Sequence, residues 1–265
     1  MQNYPNHGPL ACRVCWPNCL GAHERSLDDD QFRLVNDPGY WGAPDPEVLV
    51  LGQTKGFTQS EGMARAIQVG GYDSVAFKDF RPRLLQAMKA IYMMQNFKNI
   101  DRFMMDGETT FGWASVIRCS MTGRSSSGEY SSKSSCVLPA YQAREAGAVI
   151  SACMNTWLRR LSDRTVLVVL LGNADDYIAS FRAKLATTFS DTRAHQRGPN
   201  VAHMADGRSW VHIGHPSGAN GHFGDFLTGS ELKGQGAKRI EAQKVVVHAL
   251  RRRKNNHATL ISSQE

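Results

Sequence analysis

The sequence contains no long hydrophobic run. Its longest aliphatic stretch, residues 166–171, is far too short to cross a bilayer, and residues 1–10 lack the apolar core of a secretory signal. There is no GxxxxGK[ST] phosphate loop, no internal repeat, and no second CxxC to pair with the first. Nor is there an acidic surplus, since 24 Asp and Glu stand against 31 Lys and Arg. These absences exclude a membrane-spanning chain, a P-loop nucleotidase and a solenoid, and they point to the cytosol. In that compartment the six cysteines argue for a metal or catalytic role rather than a disulfide framework.

What is present is ordinary in bulk and unusual in detail. With 265 residues, 42% hydrophobic and 21% charged, the chain can bury one sizeable core. The net charge of +7 favours a polyanionic partner, with much of the surplus in Arg251, Arg252, Arg253 and Lys254. A basic run of this kind also suits the solvated face of a helix. Cys12 and Cys15 have the spacing of a metal knuckle within a Pro- and Gly-rich segment, with Cys19 close by. Cys119, Cys136 and Cys153 follow much later, and some of the six suit the role of small buried hydrophobes.

Read along its length, the chain starts with an irregular, cysteine-bearing segment over 1–46. A buried strand over 48–51 is closed by Gly52, and a polar loop runs from there to about Lys78. Apolar spacing predicts a helix over 84–94 behind Pro82, then a strand over 113–117 ending in Arg118 and Cys119. Residues 120–136 are a Ser- and Gly-rich flexible insertion. Helices over 139–161 and 175–189 flank a strand over 166–171. A last strand over 210–213 delivers His215, Pro216 and Ser217, and a basic amphipathic helix covers 238–253. Alternating strands and helices predict an α/β protein: one domain over 1–265, a three-layer α/β/α sandwich around a central, mainly parallel four-stranded sheet. In such sheets ligands bind at the carboxyl ends of the strands. There the sequence puts Gly52-Gln53-Thr54-Lys55-Gly56, Arg118-Cys119 and His215-Pro216-Ser217.

Four features, in this order, resemble the iron–sulfur uracil-DNA glycosylases. They are the early CxxC, a strand ending in GxxxG, a strand ending in Arg-Cys with a further cysteine before a strand ending in Gly, and a last strand entering His-Pro-Ser. The resemblance spans about residues 12–230 and is nearest the family-5 type, through His215-Pro216-Ser217 followed by Asn220 and Gly224. It implies a [4Fe–4S] cluster held by Cys12, Cys15, Cys119 and Cys153, with Cys136 the alternative to Cys153. Structural zinc is the competing occupant of four thiolates.

The resemblance further implies a DNA repair glycosylase that flips a base out of the duplex and hydrolyses its bond to the sugar, leaving an abasic site. His215 would donate to the departing base. Asp79, two residues after Phe77 and shortly before Leu84-Leu85, would orient water and stabilise the cationic sugar, with Asp73 in reserve. Gln53 stands where family-4 members carry a glutamate; an amide can position water or read the base but cannot accept a proton. Phe77 would stack on the base, with Phe57 competing, and Gly52 and Thr54 line the same pocket. Ser115 replaces an edge-reading Asn, which implies loosened selectivity reaching from uracil to hypoxanthine and other deaminated or adducted bases. Ser217, Asn220, Arg118 and Lys55 would contact DNA, as would the basic run at 251–254, and Phe223 would wedge into the duplex. The expected partner is thus DNA containing uracil or other deaminated bases, met by a monomer in the cytoplasm at the nucleoid, with no membrane involved. Two other readings stand beside this one: a catalytically silent damaged-DNA binder, and a metal-containing α/β protein acting on small nucleotides.

Overall fold

The computed structural model describes residues 4–16, 23–194, 198, 200–204 and 206–262. In chain order the strands and helices are β1 (Gly8–Pro9), β2 (Glu24–Leu27), β3 (Phe32–Val35), β4 (Gly39–Gly42), β5 (Val48–Thr54), α1 (Phe57–Val69) and α2 (Arg81–Ala90). Then come β6 (Phe111–Ile117), β7 (Ser120–Arg124), β8 (Tyr130–Ser131), α3 (Ser134–Val137), α4 (Arg144–Trp157), β9 (Leu167–Leu171) and α5 (Asp175–Thr188). The chain finishes with β10 (Arg193–Ala194), β11 (Val201–His203), β12 (Ser209–Ile213), α6 (Phe223–Thr228) and α7 (Gly234–Ser262).

The protein is α/β, built on a large mixed sheet in the order β1-β4-β6-β5-β9-β12-β11-β10. Its centre is parallel: β5 pairs with β6 and β9, and β9 with β12. Both flanks are antiparallel. The expected four-stranded sheet is therefore corrected to eight strands among the described residues. The apolar runs of β5, β9 and β12 mark strands buried on both faces, whereas the flanking strands are too short to stand out from loops.

Side chains alternate along each central strand and fill two cores. Leu49, Leu51, Val168 and Leu170 pack with α4 and α5, while Val48, Val50, Val169 and Val211 pack with α1, α2, α6 and α7. Each such side chain, fully buried, contributes about 1.5–3 kcal/mol of transfer free energy.

Three expectations for loops are also corrected. Residues 1–46 contain β1–β4, and residues 120–136 contain β7, β8 and most of α3. With β2 and β3, β7 and β8 make a second antiparallel sheet in the order β2-β3-β7-β8. Its Leu27, Phe32, Leu34 and Met121 share the core under α4. The stretch before Lys78 holds α1, which buries only Met63 and Ala66 and has no side-chain N-cap. The helix expected to reach residue 94 ends at Ala90, with Tyr92 and Met94 at φ 63° and 54°.

Candidate functional site

Parallel pairing brings the carboxyl ends of β5, β6, β9 and β12 to one edge. Gly52 of β5 is in register with Ser115 of β6, and Ile213 of β12 with Leu171 of β9. Because β9 lies between β5 and β12, Gly52 and the loop after Ile213 stand about 10 Å apart, two strand spacings. Gly214 starts that loop without a side chain, as a Cβ there would lie 2.8 Å from the Phe226 ring.

Aromatic rings lie between Gly52 and that loop. Phe77 is buried against Trp113 and Phe80, with ring centroids 6.0 and 5.7 Å away, and Phe80 lies 5.8 Å from His215. A Cβ on Gly52 would lie 3.6 Å from Ser115 Oγ and 3.9 Å from the Phe77 ring. Gly52, Ser115, Phe77, Phe80 and His215 thus form one continuous series of neighbours. Gln53 reaches the same strand end with its side-chain amide nitrogen buried and without a hydrogen-bond partner. Phe77 takes φ 52°, a left-handed conformation costly for a bulky residue and held by its ring packing. The turn it starts, Lys78–Phe80, leaves Asp79 exposed. Asp73, the reserve carboxylate, is paired with His7 at 2.8 Å.

His215 has a defined tautomer. Its Nδ1 accepts from the Ser217 amide at 3.1 Å, and burial pushes its pKa down to about 4. The ring is therefore neutral at pH 7, with its proton on Nε2 as a donor. Arg83, which the sequence reading did not single out, holds the loop: it donates to the carbonyls of Pro216 at 2.7 Å and Ser217 at 3.2 Å. Its guanidinium lies 4.2 Å from the Phe223 ring centroid.

Several expected contacts are redirected by burial. Phe223 is 3% exposed and packs in the core beneath Arg83, so it is not a projecting wedge; His222 beside it projects instead. Lys55 is 1% exposed, paired with Asp37 at 3.3 Å and bonded to the Arg118 carbonyl, and so does not meet phosphate. Arg118 is also 1% exposed. Thr54 spends its hydroxyl on the Cys119 carbonyl and the Met121 amide. Asn220 braces its own loop through the His215 carbonyl and the His222 amide. The Ser217 amide is taken by His215 and its carbonyl by Arg83, leaving its hydroxyl. Phe57 is largely exposed at the start of α1. Arg251 and Arg252 are exposed on α7, but Arg252 lines a cleft with Asp163, Thr165 and Asp206, which precede β9 and β12 and so lie at the opposite sheet edge. The side chains of Arg253 and Lys254, and Cys19, lie outside the described residues.

Beside β6, four cysteines from three parts of the chain interact: Cys12 and Cys15 near its start, Cys119 after β6, and Cys153 on α4. The Cys15 thiol donates to the Val149 carbonyl of α4 at 3.9 Å, and Cys153 lowers the Cys15 pKa while Cys15, with burial, raises that of Cys153. Cys12 and Cys119 both act electrostatically on Cys15, and Cys153 acts on both of them. Burial pushes the Cys119 thiol up to about 12 and raises Cys12. Cys136 lies on α3 and takes no part in these interactions; its carbonyl packs on Gly123 of β7.

No three described His, Cys, Asp or Glu side chains lie close enough to share one metal ion. A tetrahedral zinc with Zn–S near 2.3 Å would hold its thiolates about 3.8 Å apart. A buried guanidinium, Arg118, stands beside the four cysteines with Nε and Nη1 unpartnered, and its charge partly offsets the rise that burial imposes on Cys12 and Cys153. That positive surrounding suits an anionic thiolate-ligated group. Asp37, absent from the sequence reading, locks the region: its carboxylate receives Ser60, the Ser120 amide and hydroxyl, and Lys55.

The chain matches no protein-family model and is significantly similar to no curated protein. No described helix is long and apolar enough to cross a membrane.

Proposed function

We propose that this chain is an iron–sulfur DNA N-glycosylase of the uracil-DNA glycosylase type, which hydrolyses the bond between a flipped, deaminated base and its sugar. The observation that carries the reading is the series of neighbours formed by His215, Phe80, Phe77, Gly52 and Ser115, at a strand edge adjoining four interacting thiols. A base between Phe77 and His215 would stack on an aromatic ring, worth about 1–3 kcal/mol. It would also face the Nε2–H of a neutral imidazole. As the C1′–N bond breaks, negative charge gathers on the base carbonyl, where such a donor is worth about 2.7–4 kcal/mol. Asp79 would stabilise the cationic sugar and direct water to C1′. Gln53, with its buried amide nitrogen unpartnered, and Ser115 would read the base edge.

The four-stranded core expected from sequence is, on this reading, the parallel unit β6-β5-β9-β12 that carries the pocket. Cys12, Cys15, Cys119 and Cys153 would hold the cluster, which when bound supplies a rigid anionic cross-link rather than a redox step. Nucleoid-associated action on DNA by a monomer belongs to the same proposal.

The test is incubation with uracil-containing DNA followed by alkaline cleavage. Wild type is expected to yield strand breaks at uracil, and Asp79→Asn none, while both bind the DNA. Equal cleavage by the two would remove Asp79 from the mechanism, and no cleavage by wild type would remove the enzyme reading. A second reading, a catalytically silent binder of damaged DNA, is favoured by one observation: no hydrogen bond or ion pair among the described residues holds exposed Asp79 in place.

A further inference from the structure

Arg118 is among the largest fully buried side chains in the protein. Its Nη2 bonds the Tyr4 hydroxyl, and the rings of Tyr4, Trp157 and Tyr40 surround the guanidinium at 5.3, 5.6 and 5.7 Å. Nε and Nη1 have no partner, and among the described residues Arg118 forms no ion pair. The other buried cation nearby, Lys55, is matched by Asp37. One positive charge is therefore left in the interior without a counter-charge. A buried charge normally demands a partner, and among the described residues no carboxylate pairs with it.

What Arg118 faces is the thiol group. Its charge acts on Cys12 and Cys153, its guanidinium lies over the ring of Trp157 on the helix that carries Cys153, and Cys119 follows it in the chain. Four thiolates around an oxidised four-iron, four-sulfide core leave a dianion, whose sulfurs accept hydrogen bonds. We propose that Arg118 is the buried counter-cation of this cluster, with its free Nε–H and Nη1–H directed to the cluster's sulfurs. The inference rests on the cluster assignment above and goes beyond it. A residue expected to touch DNA instead ties cofactor loading to folding: without the cluster the guanidinium is an uncompensated interior charge, and with the cluster it is neutralised. A cation so placed also raises the reduction potential, because it stabilises the more negative, reduced cluster.

The test uses the full-length chain, purified anaerobically and studied with the cluster and after its removal by chelator. Arg118→Met is expected to raise the thermal midpoint of the cluster-free protein and lower that of the loaded protein. Arg118→Gln keeps a donor for Tyr4 but removes the charge. Its cluster should reduce at a lower potential and release iron about 10–100-fold faster, as for other groups that support a metal site from outside its ligands. Arg118→Lys should lie between Gln and wild type. Equal shifts of the Met variant in both forms, or a Gln cluster with unchanged potential and release rate, would assign Arg118 to packing and overturn the proposal while leaving the cluster intact. A wild-type chain that holds no iron and sulfide would overturn the cluster assignment itself, and this inference with it.

Discussion

At the residue scale, the arrangement turns on how His215 is held. An imidazole that accepts through Nδ1 and is too buried to protonate near neutrality has only Nε2–H to offer. Its direction depends on the 215–217 turn, and that turn depends on Arg83, whose fork spans two successive carbonyls. Arg83→Ala is expected to lower single-turnover base release by about 10²-fold, the usual cost of misplacing a reacting group by an ångström. DNA affinity and thermal midpoint should change little. Arg83→Lys should not restore the rate, since an ammonium cannot bridge both carbonyls in the same plane. A matching loss of affinity would show that Arg83 binds DNA instead. His215, Gly52 and Ser115 were legible in the sequence, because a residue at the end of an apolar strand has its place set by that strand. Lys55, Arg118 and Phe223 were not, because their burial depends on Asp37, Tyr4 and Arg83, each distant in the chain. A basic residue in a polar motif reads as solvent-facing until its partner is known.

At the element scale, helix α4 carries Cys153 and must start at the right place for that thiol to meet Cys15. It has no N-cap of its own. Asp28, from the turn between β2 and β3, supplies one: its carboxylate accepts from the amides of Glu145 at 3.0 Å and Ala146 at 2.9 Å. Glu145 in turn accepts from the Asp28 amide at 2.8 Å, a capping box closed across 117 residues. Asp28→Ala is expected to cost about 1 kcal/mol, or about 2–4 °C in thermal midpoint for a chain of this size. Asp28→Asn should retain most of the stability, and an unchanged midpoint in the Ala variant would show the cap to be idle. Such a cap cannot be seen in the sequence, where Asp28 is one of three successive aspartates. Nor were β2, β3, β7 and β8 legible, since ERSL, FRLV, SMTGR and YS are only two to five residues long and all but FRLV are mostly polar. By contrast, β5, β6, β9 and β12 were legible because they are buried on both faces and so are mainly apolar.

At the scale of the whole molecule, the net charge of +7 means little without its distribution. The basic run starting at Arg251 looked like the natural phosphate contact, yet Arg252 lies at the sheet edge opposite His215. A duplex presenting a base to the His215 edge would meet other cations. Lys78 is exposed in the turn between Phe77 and Asp79. Lys133 is exposed next to Ser132, whose Oγ lies 3.5 Å from the position of a Cβ on Gly56, in the loop leaving β5. Each phosphate contact contributes close to one unit to the slope of log affinity against log salt. Lys78→Ala and Lys133→Ala are each expected to weaken DNA binding and reduce that slope by about one. The double variant Arg251→Ala, Arg252→Ala should leave both unchanged. Fluorescence anisotropy with a uracil-containing duplex across a salt series makes the comparison. If the slope falls only in the double arginine variant, DNA runs along α7, and the His215 edge is not the face that receives it.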